Sequence, residues 1–128
     1  MTRNPHELRY SGDHMWFRHE GDHVTVGVTQ QVSRILTWVN AVDLPAPGRS
    51  VAAGEELGSI DSQKTDIAIS APVPLRVIAV NEELPADPML VRMDPYGRGW
   101  LFQAVIDDHA WEQLLDEAAY QAVIEKVE

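Results

Sequence analysis

The chain has 128 residues, 45% of them hydrophobic and 23% charged, a balance typical of one folded domain spanning residues 1–128. Twenty acidic residues against ten basic ones give a formal charge of −10, which argues against binding to nucleic acid or to an anionic membrane, since both require a basic surface. No cysteine is present, which excludes disulfides, thiolate metal ligands and a cysteine nucleophile, so any thiol chemistry must come from a cofactor.

The N-terminal part of the chain predicts short strands around one short helix. Residues 1–9 are interpreted as a polar lead-in. Because no apolar run there could serve as a signal peptide, and none elsewhere could span a membrane, we expect a cytoplasmic protein. Thr29 can cap a helix that continues to Thr37. The strands predicted around this helix are 15–19, 23–28 and 38–44.

The middle of the chain is β in character. Strands are predicted at 57–63 and 65–71, which leaves Lys64 at the tip of a hairpin. A further strand is predicted at 75–80, and the proline-containing segment 81–93 is predicted to be mostly loop. The turn residues after it precede another predicted strand at 100–106.

The C-terminal part changes to helical spacing. Apolar residues from Trp111 to Val127 recur three and four positions apart, and Asp116 is a candidate helix cap. We therefore predict a mainly β fold, a compact barrel or sandwich, with a short helix near residue 30 and amphipathic helices at the C-terminal end.

Lysine is rare, with only Lys64 and Lys126 in the chain. A lysine at a hairpin tip is usually a solvated turn residue, but a tight turn also presents its amine to a modifying enzyme. The acids Asp61 and Asp66 favour the protonated amine, which is a poor catalytic base. The functional interpretation of Lys64 is therefore a site to be acylated.

No other pattern predicts an active site or a metal centre. Three of the five histidines lie within ten residues: His14, His19 and His23. His19 and His23 are four residues apart, but a predicted turn separates them, so they do not share one face of a helix and we predict no metal site. Neither a phosphate-binding loop nor a nucleophile elbow is present. The chain is therefore predicted not to be an enzyme.

A series of motifs gives the sequence a family resemblance. In chain order the motifs are Tyr10 with His14-Met15-Trp16, Glu20-Gly21-Asp22, 24–29, 42–48, 53–58, Asp61-Ser62-Gln63-Lys64, Ala71-Pro72-Val73, 77–84, and Asp94-Pro95-Tyr96-Gly97-Arg98-Gly99-Trp100-Leu101. Together they resemble the H-protein family of the glycine cleavage system over roughly residues 9–127. The resemblance implies a flattened, lipoyl-domain-like β barrel of two sheets with a lysine-bearing hairpin.

The resemblance also implies a cofactor and its attachment site. Members of that family are non-catalytic carriers, and it implies lipoic acid in amide linkage to Lys64, which would supply the dithiol that the chain lacks. Asp61, Ser62 and Asp66 are then candidates for recognition by the lipoate–protein ligase, or simply for turn geometry. A biotin carrier is disfavoured, because methionines normally flank a biotinyl lysine and the neighbours here are Gln63 and Thr65.

The chain departs from the family at the positions that hold an aminomethyl cargo. The family has an acid at Met15, a histidine at Ile35, an acid at Ala68 and a serine at Asp13. A cationic amine held in a groove without an opposing charge is unfavourable, so we predict that the amine-holding site is lost, with Asp13 and Asp66 as the acids that could partly compensate. Met15, Ile35 and Ala68, with Asp13, are candidates for a groove that holds the arm; the three apolar residues are alternatively ordinary core residues.

These departures make the chain more similar to the H-protein-like lipoate-binding proteins of sulfur oxidation. That resemblance implies a monomeric carrier whose swinging arm moves a sulfur-bound intermediate or electrons. The implied partners are a heterodisulfide-reductase-like complex, dihydrolipoamide dehydrogenase and lipoylation enzymes. The alternatives are an H protein serving the glycine cleavage enzymes and an interaction module that never receives lipoate.

Overall fold

The computed structural model describes residues 8–127, without the side chains of the last two of them. The strands in this range are β1 (Leu8–Tyr10), β2 (Met15–Glu20), β3 (His23–Val28), β4 (Val39–Asp43), β5 (Ser50–Val51), β6 (Glu56–Ser62), β7 (Asp66–Ser70), β8 (Leu75–Val80) and β9 (Phe102–Val105). The helices are α1 (Gln30–Ser33), α2 (Leu90–Met93), α3 (Asp108–Gln113) and α4 (Glu117–Val127).

Two antiparallel sheets form the body of the molecule. The larger sheet has the strand order β1-β2-β3-β9-β8-β5, and the smaller one has the order β4-β6-β7. Both contribute to one hydrophobic core, for example Val26 and Phe102 from the larger sheet and Ile60 and Ile69 from the smaller. The prediction of a mainly β fold with a lysine-bearing hairpin and C-terminal helices is confirmed.

The β2–β3 hairpin shows how the sequence pattern builds the larger sheet. Val24, Val26 and Val28 alternate along β3 and are buried in the core, as their spacing predicts. Gly27 lies between them, and a side chain there would collide with the indole ring of Trp16 on β2. Close packing on both faces therefore excludes water from this part of the sheet.

The helix that begins at Thr29 is shorter than predicted. The Thr29 side chain accepts the Gln31 N–H at 3.3 Å, so the predicted cap is confirmed, but α1 ends at Ser33. Beyond it the chain buries Leu36, whose carbonyl accepts a hydrogen bond from the Arg92 Nε at 2.8 Å. The chain therefore leaves the helix after Ser33 and turns toward β4, although the apolar residues continue at helical spacing.

Three short elements lie where the sequence predicted none. Strand β1 begins inside the predicted lead-in, of which residues 1–7 lie outside the described residues. Strand β5 has two residues and helix α2 has four. Elements this short carry no periodicity, and they form because distant partners pair with them, as β8 does with β5.

The C-terminal helices are divided by a contact with the N-terminal strand. Leu115 and Tyr10 exchange two backbone hydrogen bonds of 2.8 Å, and these interrupt the helix after α3. Asp116 then accepts the Ala119 N–H at 2.8 Å, so the predicted cap is confirmed. Within residues 8–127, none of the helices is long and apolar enough to cross a membrane.

Candidate functional site

Lys64 lies in the turn between β6 and β7, as the sequence predicts. In the hairpin Ile60 pairs with Ile67 and Asp61 pairs with Asp66, and the turn occupies residues 63–65. The side chain of Lys64 is exposed. Because β6 also pairs with β4, the strand that delivers the lysine is held on both edges.

Ser62 closes the turn from inside. Its side chain is only 4% exposed, and its hydroxyl donates to the Thr65 carbonyl at 2.6 Å. The same oxygen accepts the Thr65 N–H at 3.3 Å, while the Ser62 N–H donates to the Thr65 carbonyl at 3.0 Å. These bonds satisfy the polar groups at the base of the turn and leave Lys64 to project from it.

A second anchor connects the turn to the neighbouring strand. The Gln63 N–H donates to the Trp38 carbonyl at 2.8 Å, just before β4 begins. The residue preceding Lys64 is therefore tied to the adjacent strand, and the backbone at the lysine is fixed from two directions. Such preorganisation suits a lysine that an enzyme must find in one position.

Two carboxylates face each other beside the lysine. Asp61 and Asp66 are directly opposite on β6 and β7, and both are exposed. The protonated form of Asp66 can donate a hydrogen bond to the Asp61 carboxylate, and this bond, together with the negative charge of Asp61, raises the pKa of Asp66 above its ordinary value. Ser62, Asp61 and Asp66 are thus brought together around Lys64, as the sequence predicts, on an acidic hairpin.

The four candidate groove residues do not share one environment. Met15 is 3% exposed and lies in the core, whereas Ile35 is 57% exposed and Ala68 is also on the surface. Asp13 is exposed, and its carboxylate accepts a hydrogen bond from the Ser11 hydroxyl. Met15 therefore matches the alternative of an ordinary core residue, and Ile35 and Ala68 do not.

Two large apolar side chains are exposed on segments connected to the hairpin, and the sequence analysis did not identify either as a candidate site residue. Trp38 and Met93 are 59% and 67% exposed, on the segments before β4 and at the end of α2. These segments are connected, since Arg92 bonds to the Leu36 carbonyl and the Val39 N–H donates to the Met89 sulfur at 3.2 Å. The sequence signal for such an exposed apolar surface is a large apolar residue that does not fit the spacing of the core residues.

Three of the histidines contact other side chains. Nδ1 of His14 lies 2.9 Å from the Tyr120 hydroxyl, His19 packs edge-on against Trp111, and His23 bonds to Asp22. No group of three potential ligands close enough to hold a metal ion occurs in the described part of the chain. His6 lies outside that part.

Comparisons with known proteins agree on one family. The model of the family described as "Glycine cleavage H-protein" matches residues 8–127. The glycine cleavage system H protein of Serratia proteamaculans is 43% identical over 128 residues, covering 98% of this chain and 100% of that protein. The one from Cronobacter sakazakii is 41% identical over 127 residues, with 98% of each chain covered.

A solved structure supports the same assignment. The crystal structure of a glycine cleavage system H protein from Mycobacterium marinum superimposes with a TM-score of 0.78 at 32% sequence identity. The match covers 95% of this chain and 99% of that one. Both the sequence and the fold are therefore shared over nearly the whole length.

Proposed function

The chain belongs to the glycine cleavage H-protein family, and on that basis we propose that Lys64 carries lipoic acid in amide linkage. Proteins of this family are non-catalytic carriers with lipoic acid covalently attached to a lysine. The observation that carries the proposal is the exposed position of Lys64 at the tip of an ordered hairpin. Lys126, the other lysine, lies near the end of α4.

The surroundings of Lys64 fit such a group. The turn is held by Ser62 and by the Trp38 carbonyl rather than by the lysine, so acylation of its amine breaks no bond that shapes the hairpin. Bound lipoate supplies a dithiol–disulfide pair to a chain that has no cysteine thiol. The hairpin keeps the point of attachment fixed, and the tether raises the effective concentration of the arm at each partner.

We propose the glycine cleavage system as the pathway that this carrier serves. Relatives from Serratia, Cronobacter and Aeromonas that are 40–43% identical to this chain are named as H proteins of that system. In that role the arm carries an aminomethyl group between the glycine cleavage enzymes. Asp61 and Asp66 would contact the lipoylation enzyme, because they are exposed beside the lysine that it acylates, whereas the buried Ser62 would act by holding the turn.

A second candidate is a carrier of sulfur or electrons, and the surface near the hairpin favours it. Ile35 and Ala68 stand on the surface where the family resemblance places a histidine and an acid. The exposed Trp38 adds to this apolar character. At these two positions a cationic cargo would meet apolar side chains instead of the acid and the histidine, so the nearest carboxylates would be those of the hairpin itself. The partners in that case would be a heterodisulfide-reductase-like complex and dihydrolipoamide dehydrogenase.

Intact mass spectrometry tests the attachment site. Protein made in cells supplied with lipoate and its ligase should gain one lipoyl increment, and Lys64→Arg should lose it completely. Lys126→Arg is the matched control and should keep the increment. An unmodified wild-type protein after exposure to several ligases would favour the interaction module instead.

A reconstituted glycine decarboxylation assay separates the two cargoes. The lipoylated wild-type protein should support the reaction if the first role is correct. If the wild type is inactive, the double variant Ile35→His/Ala68→Asp should gain activity. Ile78→His, at an exposed position of β8, should remain inactive. Met15 is left unchanged, because a glutamate there would place an unpaired charge in the core.

A further inference from the structure

A small cavity lies apart from the Lys64 hairpin, between β1, the start of α1, the loop after α2, and α4. Its volume is about 160 Å³, and its walls include Tyr10, Tyr96, Tyr120, Glu117 and Gln121. No residue of β6, β7 or their turn lines it. Pockets for drug-sized ligands start at roughly 300 Å³, so this cavity suits the head group of one side chain.

The tyrosine rings are held in place without any ligand. Tyr120 stacks on Tyr10 with ring centroids 4.5 Å apart and planes 5° from parallel. The Tyr120 hydroxyl lies 2.6 Å from the Thr29 hydroxyl and 2.9 Å from Nδ1 of His14. A cavity whose walls are already ordered loses little entropy when a ligand binds.

Tyr96 closes the cavity from the other side. Its hydroxyl accepts the Gln30 N–H at 3.1 Å, and its ring packs on Trp16 with centroids 6.1 Å apart. The ring is nevertheless 39% exposed, so this wall faces solvent as well as the cavity. A ligand can therefore enter beside Tyr96.

The charge of the cavity selects the sign of its ligand. Glu117 is its one charged lining residue, and no ion pair joins Glu117 to a basic side chain among the side chains that the structure describes. The pKa of Tyr10 is raised by burial and then by the negative charge of Glu117. Glu117 is exposed at the wall of the cavity, so its carboxylate disfavours an anion there, whereas a cation would gain that carboxylate and the partly exposed ring of Tyr96.

We propose that this cavity binds the guanidinium group of an arginine side chain presented by a partner protein. A guanidinium is planar, weakly hydrated and able to stack on tyrosine while it bonds to a carboxylate, which a more strongly hydrated ammonium does less well. The net charge of −10 draws basic surfaces toward the molecule. The proposal does not depend on lipoylation of Lys64.

Titration of the folded protein by NMR tests the proposal. Nα-acetyl-arginine methylamide should shift the backbone amides of Gln30, Gln31 and Gln121 and saturate at about millimolar concentration. The citrulline analogue, which has the same shape without the charge, should bind at least about fivefold more weakly. Equal binding of the two compounds, or no saturable shift, would overturn the proposal.

Matched variants locate the contact. Glu117→Gln should weaken binding at least about fivefold, while Glu125→Gln, an exposed position on the same helix, should leave it unchanged. Tyr96→Leu should also weaken binding, because it removes one ring from the wall. Equal effects of the two glutamate variants would place the cation elsewhere. Binding of free arginine without binding of the blocked form would overturn the assignment to a partner's side chain.

Discussion

Two hydroxyl groups organise two regions of this molecule, and they do so over very different distances along the chain. Ser62 bonds to Thr65, three residues away, and thereby closes the turn that carries Lys64. Tyr120 contacts Thr29 and His14, which are 91 and 106 residues away, and thereby fixes α4 to the larger sheet. The hairpin tip is built from local bonds, whereas the position of the C-terminal helix depends on the completed fold.

The comparison explains how one domain can be both rigid and accessible. A turn closed by its own residues keeps its shape while its lysine points into solvent, where an enzyme can modify it. The Tyr120 contacts instead bury their polar groups, since Thr29 is fully buried and Tyr120 is 4% exposed. The hairpin packs against the main core, whereas Tyr120 lies in a separate small cluster with Tyr10 and Trp16. Four predictions compare how strongly each region depends on its contacts.

The largest effect is expected in the main core, against which the hairpin packs. Phe102 is fully buried, and Phe102→Ala should lower the free energy of unfolding by about 3–5 kcal/mol. Ile67 lies on the hairpin and is only partly buried, so Ile67→Ala should cost less than half as much. Urea denaturation measures both. Equal losses would mean that the hairpin is packed as tightly as the central strands.

The next largest effect is expected at Tyr120. Tyr120→Phe keeps the ring on Tyr10 but removes one hydrogen-bond partner of the buried Thr29 hydroxyl and the partner of His14 Nδ1, which should cost about 1–3 kcal/mol. Tyr96→Phe is the control, because that hydroxyl accepts a single backbone bond at an exposed site, and it should cost less. Lipoylation of Lys64 should not change in either variant. A slower rate would show that α4 influences the hairpin.

A smaller loss of stability is expected at Ser62. Ser62→Ala removes the two bonds between its hydroxyl and Thr65, which should cost about 1 kcal/mol because water can replace them at the turn. Its clearer effect should be a slower rate of lipoylation in a ligase assay, since the lysine loses its fixed position. Ser59→Ala, on the same strand, should keep the wild-type rate.

The smallest effect concerns the carboxylate pair. The pKa of Asp66 is raised by its hydrogen bond to Asp61 and by that residue's charge, so the stabilisation that protonated Asp66 provides is lost as the pH rises through this pKa. Asp66→Asn should therefore gain melting temperature relative to the wild type between about pH 3 and pH 7. Asp87→Asn, which removes a charge from a loop, should not. If the melting temperatures of the two variants change with pH in the same way, the proposed interaction between Asp61 and Asp66 is contradicted.

Much of the carrier hairpin could be predicted from local sequence. The β pattern on either side of Lys64 predicts its place at a hairpin tip, and the family resemblance then identifies it as the lysine to be modified. The cap at Thr29 is equally local, because a threonine side chain reaches the free N–H groups two and three residues ahead.

The groove residues could not be predicted in this way. Met15 and Ile35 are both apolar residues near predicted elements, yet one is 3% exposed and the other 57%. Helical spacing continued past Ser33 in the sequence, but burial of Leu36 redirected the chain. Which apolar side chain meets solvent depends on how segments far apart in sequence pack.

The strand pattern, the hairpin with its lysine and the family could all be read from the order of the residues, because they depend on neighbours a few positions apart and on motifs in series. Three other features required the folded chain: Asp61 faces Asp66, Tyr120 joins His14 to Thr29, and three tyrosines line one cavity together with Glu117. Strand register and helix docking are settled by the fit of the whole core, and no local pattern contains that fit.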